Sequence, residues 1–242
     1  MPTSAPANNE EEEKPDALIS PDAGRRYWAA IDADVSGMLG GFPGVSRVDL
    51  RGSRSFLAKL GLGRSAGGQK AVRRALEGGA GIGRITQGLL LDVAETVDVV
   101  EPIAKFTAAL AGRPGVGRIY NVGLEEWRPD DEPVATTYDL IWNQWCLGHL
   151  TDQQLDAYLR RCAGVLSRDD GGKVKGVIVV KENMSLGQDM FDEVDSSVTR
   201  QDRSFRRIFE DAGLRIVKTE LQHGFPDELY PVRMYALKPR DA

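Results

Sequence analysis

The chain has 242 residues, of which 41% are apolar and 28% charged, and its formal net charge is −5 at pH 7. This is an ordinary globular composition, and a chain this long buries most of its apolar surface without disulfides or metals. The acidic balance speaks against a general nucleic-acid-binding protein, and no apolar run reaches the ~18 residues that a membrane span needs. Two cysteines without metal-site spacing exclude a disulfide framework, favour a reducing compartment and predict no metal site.

The amino-terminal segment is predicted to be a tail outside the folded domain. Residues 1–20 are rich in Pro, Ala and Asn and include the acidic run Glu10–Glu13, so we expect a disordered acidic tail there. The segment lacks the basic and apolar regions of a signal peptide. Residues 21–242 are then expected to form a single domain.

The first part of that domain, residues 21–70, is predicted to be a helical extension. A helix is expected over Ala23–Ile31 and a second, capped by Ser53, over Ser53–Leu60. The glycine-rich segment Gly37–Gly41 is interpreted either as a lid that closes over a ligand or as a plain connecting loop with apolar neighbours. Gly61–Gly68 is interpreted as a flexible joint.

Beyond residue 70 the chain alternates strand-like and helical runs. Such alternation predicts an α/β fold whose mainly parallel sheet carries helices on both faces, with ligands bound beyond the carboxyl ends of the strands, where the strand order reverses. The last two strands have no helix between them and predict an antiparallel pair at the sheet edge. Strands are expected at residues 71–76, 96–100, 116–122, 138–145, 176–180, 214–221 and 233–237, and helices at 82–94, 103–111, 151–166 and 204–212.

A glycine-rich loop indicates the class of cofactor. Glu77–Gly83 has the pattern E-x-G-x-G-x-G between the first strand and a helix, whereas the dinucleotide pattern G-x-G-x-x-G requires glycine where Arg84 stands. Glu101 ends the second strand, where a carboxylate can accept both hydroxyls of a ribose. The loop therefore fits S-adenosylmethionine (SAM), with a ligand-free tight turn as the alternative. Arg84 either binds a ligand carboxylate or is a surface arginine.

Six stretches in sequence order resemble the α-N-terminal protein methyltransferases, from about residue 25 to residue 238. The resemblance implies a class I, Rossmann-like methyltransferase fold with a seven-stranded sheet and an N-terminal helical lid. It also implies SAM-dependent methylation of the free α-amino group of proteins that begin Xaa-Pro-Lys after loss of the initiator methionine. The stretches are Tyr27-Trp28, Val35–Phe42, Gly79–Thr86, Ile141–Trp145, Gly148–Gln153 and Val194–Val198.

The same resemblance implies roles for individual residues. His149 and Asp195 match the positions with proton-handling roles in that family. Glu77-Gly78 stands where relatives tend to have Asp-Cys, which bears only on details of the cofactor contacts. The implied cofactor residues are Gly79, Arg84, Glu101, Pro102, Ile103, Leu124, Glu125 and Gln144, and the implied peptide residues are Trp28, Leu39, Trp145, Asn183, Asp192, Ser197 and Tyr230.

The chemistry requires few groups. A protein α-amine has a pKa of about 8, so roughly a tenth is neutral at pH 7, and alignment can supply much of the acceleration. An imidazole and a carboxylate near the amine, here His149 and Asp195, suit deprotonation. Asp192 and Asp195 offer negative charge to a substrate ammonium and to a lysine. Trp145 offers a flat face to a proline, and Asn183 can hydrogen-bond to the peptide backbone. Each assignment has an alternative without a function: His149 could be a structural hydrogen-bonding residue, Asp192 and Asp195 part of a solvated acidic loop, and Trp145 a core residue.

The expected partners are N-terminal tails of substrate proteins, for example ribosomal proteins, and neither nucleic acid nor membrane. We expect a monomer in the cytoplasm, with nuclear residence left open. Two other functions stay open at this point. One is a methyltransferase of the same fold that acts on a small molecule, and the other is a peptide-binding module that transfers nothing.

Overall fold

A seven-stranded sheet forms the centre of the computed structural model, which describes residues 14–63, 69–129 and 136–240. A separate antiparallel hairpin, formed by β6 and β7, lies outside this sheet. The strands are β1 (Val72–Gly78), β2 (Ala94–Val100), β3 (Val116–Tyr120), β4 (Leu140–Gln144), β5 (Val177–Asn183), β6 (Met190–Asp192), β7 (Ser197–Thr199), β8 (Leu214–Leu221) and β9 (Val232–Pro239).

The strand order of the main sheet is β3-β2-β1-β4-β5-β9-β8. Strands β1 to β5 pair in parallel, and β9 pairs antiparallel with both β5 and β8. The predicted parallel sheet and the predicted antiparallel pair at its edge are both confirmed. The order reverses between β1 and β4, so the expected ligand edge lies at the carboxyl ends of these two strands.

Helices cover both faces of the sheet. A π-helical turn at Thr86–Leu90 precedes α4, and in the described ranges no helix is long and apolar enough to cross a membrane. The helices are α1 (Pro21–Ala30), α2 (Val35–Met38), α3 (Ser46–Lys59), α4 (Leu91–Val93), α5 (Ala104–Thr107), α6 (Asp152–Gly164) and α7 (Asp202–Asp211). Short 3-10 turns lie at Pro15–Leu18, Pro43–Val45, Ala108–Leu110 and Leu147–His149.

Alternating residues of the strands build two hydrophobic clusters. On β4, Ile141 packs with side chains of α6 and α7, whereas its neighbours Leu140 and Trp142 pack with side chains of α3 and α4. This alternation is the two-residue period of a strand. All five residues of β4 are buried, as expected for a parallel strand covered on both faces.

Two predicted boundaries in the amino-terminal extension are wrong. The sequence predicts that residues 14–20 belong to the tail, yet Pro15–Leu18 form a 3-10 turn and Asp16 accepts a hydrogen bond from the Asp152 backbone N–H at 2.9 Å. Helix α3 begins at Ser46 rather than Ser53. Ser53 is fully buried within α3 and accepts a hydrogen bond from Lys181 Nζ at 2.9 Å, so its hydroxyl is not a cap.

The helix predicted over 82–94 ends at Val93, because Ala94 already begins β2 and pairs with Val72. Most of the joint predicted at 61–68 lies outside the described residues, since 64–68 are not among them. The β6–β7 hairpin was not predicted, because each of its strands has only three residues.

The predicted start of α6 tests one local interaction. Thr151 accepts a hydrogen bond from the Gln154 backbone N–H at 3.2 Å, and Gln154 accepts from the Thr151 N–H at 2.9 Å. Thr151→Ala removes one half of this capping box and is expected to lower the free energy of unfolding by about 1 kcal/mol. Urea denaturation measures the change. Thr151→Ser keeps the hydroxyl and is the control; equal stability of the two variants would contradict the capping role.

Candidate functional site

A deep pocket opens at the carboxyl ends of β1, β2 and β4. Its empty space is about 1050 Å³, including the part open to solvent, which suits a ligand larger than a metal ion. Among the described residues there is no group of three or more metal-ligating side chains. The lining includes Gly79, Ala80, Gly81, Arg84, Glu101, Pro102, Ile103, Phe106, Leu124, Glu125, Gln144, Trp145, Cys146 and His149, together with Gly24, Arg25 and Trp28 of α1 and Ser196.

The glycine loop after β1 depends on its glycines. Gly79, Gly81 and Gly83 have φ angles of +65°, +52° and +75°, which side chains rarely adopt. A Cβ atom added to Gly79 would lie 2.3 Å from Cys146 Cβ. The Gly79 N–H donates to the Val100 carbonyl at 2.9 Å, so the loop crosses directly over the end of β2.

Glu101 fastens this loop to the next strand end. Its Oε2 accepts a hydrogen bond from the Gly81 N–H at 2.8 Å, and its Oε1 accepts from the Ile103 N–H at 2.9 Å. Burial raises the pKa of the Glu101 carboxyl, and these two backbone hydrogen bonds oppose that rise. Each oxygen of an ionised carboxylate can accept a second hydrogen bond, so Glu101 can still accept from a pair of ligand hydroxyls.

A second acid lies beneath the loop. Glu77 is buried, lines the pocket and accepts a hydrogen bond from the Thr86 hydroxyl. Burial raises the pKa of Glu77 to about 8, although the Thr86 hydrogen bond and the charge of Arg84 lower it. The folded protein therefore holds the Glu77 carboxyl protonated at neutral pH.

A buried ionic cluster supports the opposite wall. Asp49 of α3 is fully buried and accepts from Arg84 at 2.6 Å, from Gln144 Nε2 at 2.9 Å, and forms an ion pair with Lys181 at 2.5 Å. The Arg84 guanidinium also lies 5.3 Å from the centroid of the Trp145 ring. Two cations share one carboxylate here, which leaves positive charge at the pocket for a ligand carboxylate.

Sequence reasoning missed Asp49 and Lys181. Burial lowers the pKa of Lys181 and Asp49 raises it, and the ammonium also donates to Ser53 at 2.9 Å and to Gln222 at 2.8 Å. One signal was present in the sequence. Asp49 and Ser53 are four residues apart, so a longer α3 would have placed both polar groups on one helical face.

Helix α1 lies across the pocket and is tied down at several points. Arg25 forms ion pairs with Glu125 at 2.5 Å and with Glu126 at 2.9 Å. Lys105 Nζ donates to the carbonyl of Ala29 at 2.5 Å, near the end of the helix. The amino-terminal extension therefore covers the pocket, and the predicted placement of a helix over the site is met for α1.

Helix α1 also reaches the imidazole of His149. Trp28 Nε1 donates a hydrogen bond to His149 Nε2 at 2.9 Å. Burial lowers the pKa of His149, and Asp195 and the Ser196 backbone raise it less. Burial therefore favours the neutral ring, and the hydrogen bond from Trp28 requires a lone pair on Nε2. Asp195 Oδ1 and His149 Nδ1 are buried and have no hydrogen-bond partner among the described residues.

Hydrogen bonds from Arg200 hold the turn that carries His149. Arg200 is completely buried and donates to the Leu147 carbonyl at 3.0 Å and to Asp152 at 2.9 Å. Arg200 directly follows β7, and Asp195 lies two residues before its first residue. The guanidinium thus fixes the imidazole turn relative to the Asp195 loop, a link that the sequence did not reveal.

The structure gathers some predicted residues and separates others. All eight predicted cofactor residues line the pocket, as do His149, Trp28 and Trp145. Asp195 does not line the pocket, although the next residue in the chain, Ser196, does. The other predicted peptide residues do not line this pocket: Leu39 is buried, Asn183 ends β5, Asp192 and Ser197 face each other on the β6–β7 hairpin, and Tyr230 is 43% exposed with its hydroxyl 3.9 Å from Met190 Sδ.

Known proteins resemble the chain over most of its length. A family model described as AdoMet dependent proline di-methyltransferase matches residues 16–238. The alpha N-terminal protein methyltransferase 1 of Schizosaccharomyces pombe is 46% identical over 223 residues, covering 89% of this chain and 94% of that protein. The N-terminal Xaa-Pro-Lys N-methyltransferase 1 of Homo sapiens is 39% identical and covers 88% and 93%. A solved SAM-dependent methyltransferase of Leishmania major has a TM-score of 0.76 and 37% identity, covering 90% and 82%.

The protonated state of Glu77 predicts a pH dependence of stability. The ordinary pKa of this carboxyl is 4.5 and that in the folded protein is about 8, so between these values only the folded state keeps the proton. The contribution of Glu77 to the free energy of unfolding therefore falls as pH rises through this window, by up to about 1.4 kcal/mol per pH unit. Glu77→Gln keeps an acceptor for Thr86 and is expected to lack this loss.

Urea unfolding of both proteins at several pH values across the window measures the difference. Relative to the native protein, Glu77→Gln should gain stability as pH rises. Glu95→Gln, at an exposed position on β2, is the control. Native and Glu77→Gln curves that stay parallel throughout would show that Glu77 is ionised in the folded protein.

Proposed function

The chain belongs to the AdoMet-dependent proline di-methyltransferase family, and from this membership we propose that it methylates the free α-amino group of proteins that begin Xaa-Pro-Lys. The methyl donor is SAM, and the substrate terminus is the one left after removal of the initiator methionine. The relatives are named as protein methyltransferases, which favours this activity over the small-molecule and purely binding alternatives.

One observation carries the proposal. One pocket is lined both by the residues suited to a SAM molecule and by the half-buried imidazole of His149, and helix α1, which donates to that imidazole, lines it as well. The Glu101 carboxylate can accept hydrogen bonds from the ribose hydroxyls, and Arg84 can bind the carboxylate of the ligand. The apolar side chains of Ile103, Phe106 and Leu124 can pack against the adenine. SAM, when bound, supplies an electrophilic methyl group on a sulfonium.

The chain's own residues bind, orient and deprotonate the amine. An α-amine with a pKa of about 8 is mostly protonated at pH 7, so a proton must leave before the nitrogen lone pair is free. Asp195 and His149 are proposed for this task, and the unpartnered Asp195 Oδ1 supports it. The cover formed by α1 keeps bulk water from the reacting groups.

The peptide is proposed to run from this pocket toward the β6–β7 hairpin. Trp145 supports this path, because its φ is +54° and its buried Nε1 has no partner among the described residues. A bulky residue in that conformation is strained, and such strain clusters at functional sites. The other proposed peptide contacts are Trp28, Leu39, Asn183, Asp192, Ser197 and Tyr230.

The cellular setting is also a proposal. Substrates with a suitable amino terminus, for example ribosomal proteins, would be met in the cytoplasm, with nuclear residence also open. We propose that the protein acts as a monomer, because the pocket and its cover are both built from one chain.

The first prediction is turnover of a minimal substrate. A peptide that begins Ser-Pro-Lys-Arg, incubated with SAM and the protein, is expected to gain one to three methyl groups by mass spectrometry. The same peptide acetylated at its amino end should gain none, because its α-nitrogen is an amide. Methylation of both peptides would place the reaction on a side chain, and methylation of neither, with SAM binding demonstrated, would refute the proposed activity.

A second prediction concerns Asp195. Asp195→Asn keeps the shape of the side chain but cannot take a proton, so turnover of the peptide is expected to fall about 100-fold or more. SAM affinity, measured by calorimetry, should change far less, because Asp195 does not line the cofactor part of the pocket. Glu193→Gln, an exposed change in the same loop, should retain near-native turnover. Native turnover of Asp195→Asn would remove Asp195 from the mechanism.

A further inference from the structure

Lys181 of β5 is a fully buried cation that the proposed reaction does not use. Its ammonium forms an ion pair with Asp49 Oδ1 at 2.5 Å and donates to the Asp49 carbonyl at 3.1 Å, to Ser53 Oγ at 2.9 Å and to Gln222 Oε1 at 2.8 Å. The Gln222 oxygen faces the lysine because Nε2 of the same amide donates to the His223 carbonyl at 2.8 Å. An ammonium can only donate, so this shell of oxygen acceptors suits the charged form.

The two carboxylate oxygens of Asp49 serve different partners. Oδ1 accepts from Lys181 and, at 2.9 Å, from Gln144 Nε2, whereas Oδ2 accepts from Arg84 Nη1 at 2.6 Å. Arginine and a carboxylate frequently form two parallel hydrogen bonds. Arg84 forms a single one with Asp49, because the other oxygen is already occupied.

The remaining donors of Arg84 are available to a ligand. Among the described residues, both of its hydrogen bonds leave from Nη1, one to Asp49 and one of 3.4 Å to the Ser46 hydroxyl. An arginine side chain also has donors on Nη2 and Nε. The side chain lines the pocket, and its guanidinium carbon lies 5.3 Å from the centroid of the Trp145 ring. Asp49 and Trp145 thus hold the guanidinium at the pocket wall with part of its fork unused.

The charge balance of the cluster favours an anionic ligand. Arg84 and Lys181 are two cations that share the single carboxylate of Asp49. Glu77, which also interacts with the charge of Arg84, has its pKa raised to about 8 by burial and is protonated at neutral pH. The cluster therefore keeps one positive charge that the carboxylate of a ligand can balance. Loss of Lys181 would remove that excess charge.

We propose that Lys181 is a positioning residue for the carboxylate of SAM: by occupying Asp49 Oδ1 it limits Arg84 to one hydrogen bond with Asp49 and leaves the rest of the guanidinium for the ligand. Lys181 does not line the pocket and acts through Arg84. The inference rests on the SAM site of the proposed function and is independent of the methyl acceptor. It makes carboxylate recognition depend on β5 and α3, neither of which lines the pocket.

Two ligands that differ only in the carboxylate test the proposal. S-adenosylhomocysteine (SAH) carries this group, and decarboxylated SAH lacks it. In Lys181→Met, Arg84 can turn both of its terminal nitrogens toward Asp49. Calorimetry should then show binding of SAH weakened by about tenfold, as expected for the loss of one hydrogen bond to a charged group. Binding of decarboxylated SAH should stay near the native value.

Two further variants calibrate this measurement. Ser53→Ala removes one acceptor of the Lys181 ammonium but keeps its charge, so it is the matched control and should keep the native ratio of the two affinities. Arg84→Met removes the proposed carboxylate anchor and should abolish the preference for SAH. Equal losses for both ligands in Lys181→Met would show a purely structural role and overturn the proposal. A ratio in Ser53→Ala that falls as far as in Lys181→Met would do the same.

A measurement on the native protein keeps the test decisive even if Lys181→Met does not fold. Burial lowers the pKa of Lys181 and the charge of Asp49 raises it, and the proposal requires the charged form at pH 7. Nitrogen-15 nuclear magnetic resonance of the lysine side chains should show a slowly exchanging ammonium at Lys181. A neutral amine there would overturn the proposal, because it would add no charge to the cluster.

The failure of this inference can be told apart from failure of the proposed function. If the native protein binds neither SAM nor SAH, the SAM site and the proposed function fall together. If the native protein prefers SAH over decarboxylated SAH and Lys181→Met keeps that preference unchanged, the proposed function stands and the role of Lys181 falls.

Discussion

One buried carboxylate holds the amino-terminal extension against the catalytic edge of the sheet. Asp49 of α3 contacts Arg84, which directly follows the glycine loop, Gln144 from β4 and Lys181 from β5. Removing a partner from a buried ion pair costs about 3–5 kcal/mol, because the remaining charge stays desolvated. The extension is therefore part of the pocket wall, and the orientation of Arg84 toward a ligand depends on a residue 35 positions earlier in the chain.

The fold follows from the sequence wherever a local rule decides the outcome. The T-x-x-Q capping box starts α6 where predicted, and the last two strands form the expected antiparallel pair. The glycine loop is also predictable from its pattern of glycines. The structure shows why glycine is needed there, because the contact between Gly79 and Cys146 leaves no room for a Cβ atom. In these cases the preference of a few neighbouring residues agrees with the tertiary structure.

Long-range contacts are what the sequence could not reveal. Serine is a residue type that often caps a helix, yet Ser53 lies inside α3. Its hydroxyl accepts a hydrogen bond from Lys181, 128 residues later in the chain. Arg200 supports the turn of His149 from 50 residues away through the carbonyl of Leu150. Asp195 carries no local signal either, since an acidic loop residue is usually solvated. Only the resemblance to a family drew attention to it, and the structure adds its buried, unpartnered oxygen.

Burial determines which groups in the pocket remain charged. Desolvation raises the pKa of an acid and lowers that of a base, so it favours the neutral form in Glu77 and in His149 alike. Arg84 and Lys181 share Asp49, and Arg25 is paired with Glu125 and Glu126. Among the buried side-chain atoms of the described residues, Asp195 Oδ1 is the carboxylate oxygen that has no hydrogen-bond partner. The cationic amine of the proposed substrate would meet this oxygen close to the imidazole of His149, and burial, which the sequence pattern does not show, decides which of the groups around it keep their charge.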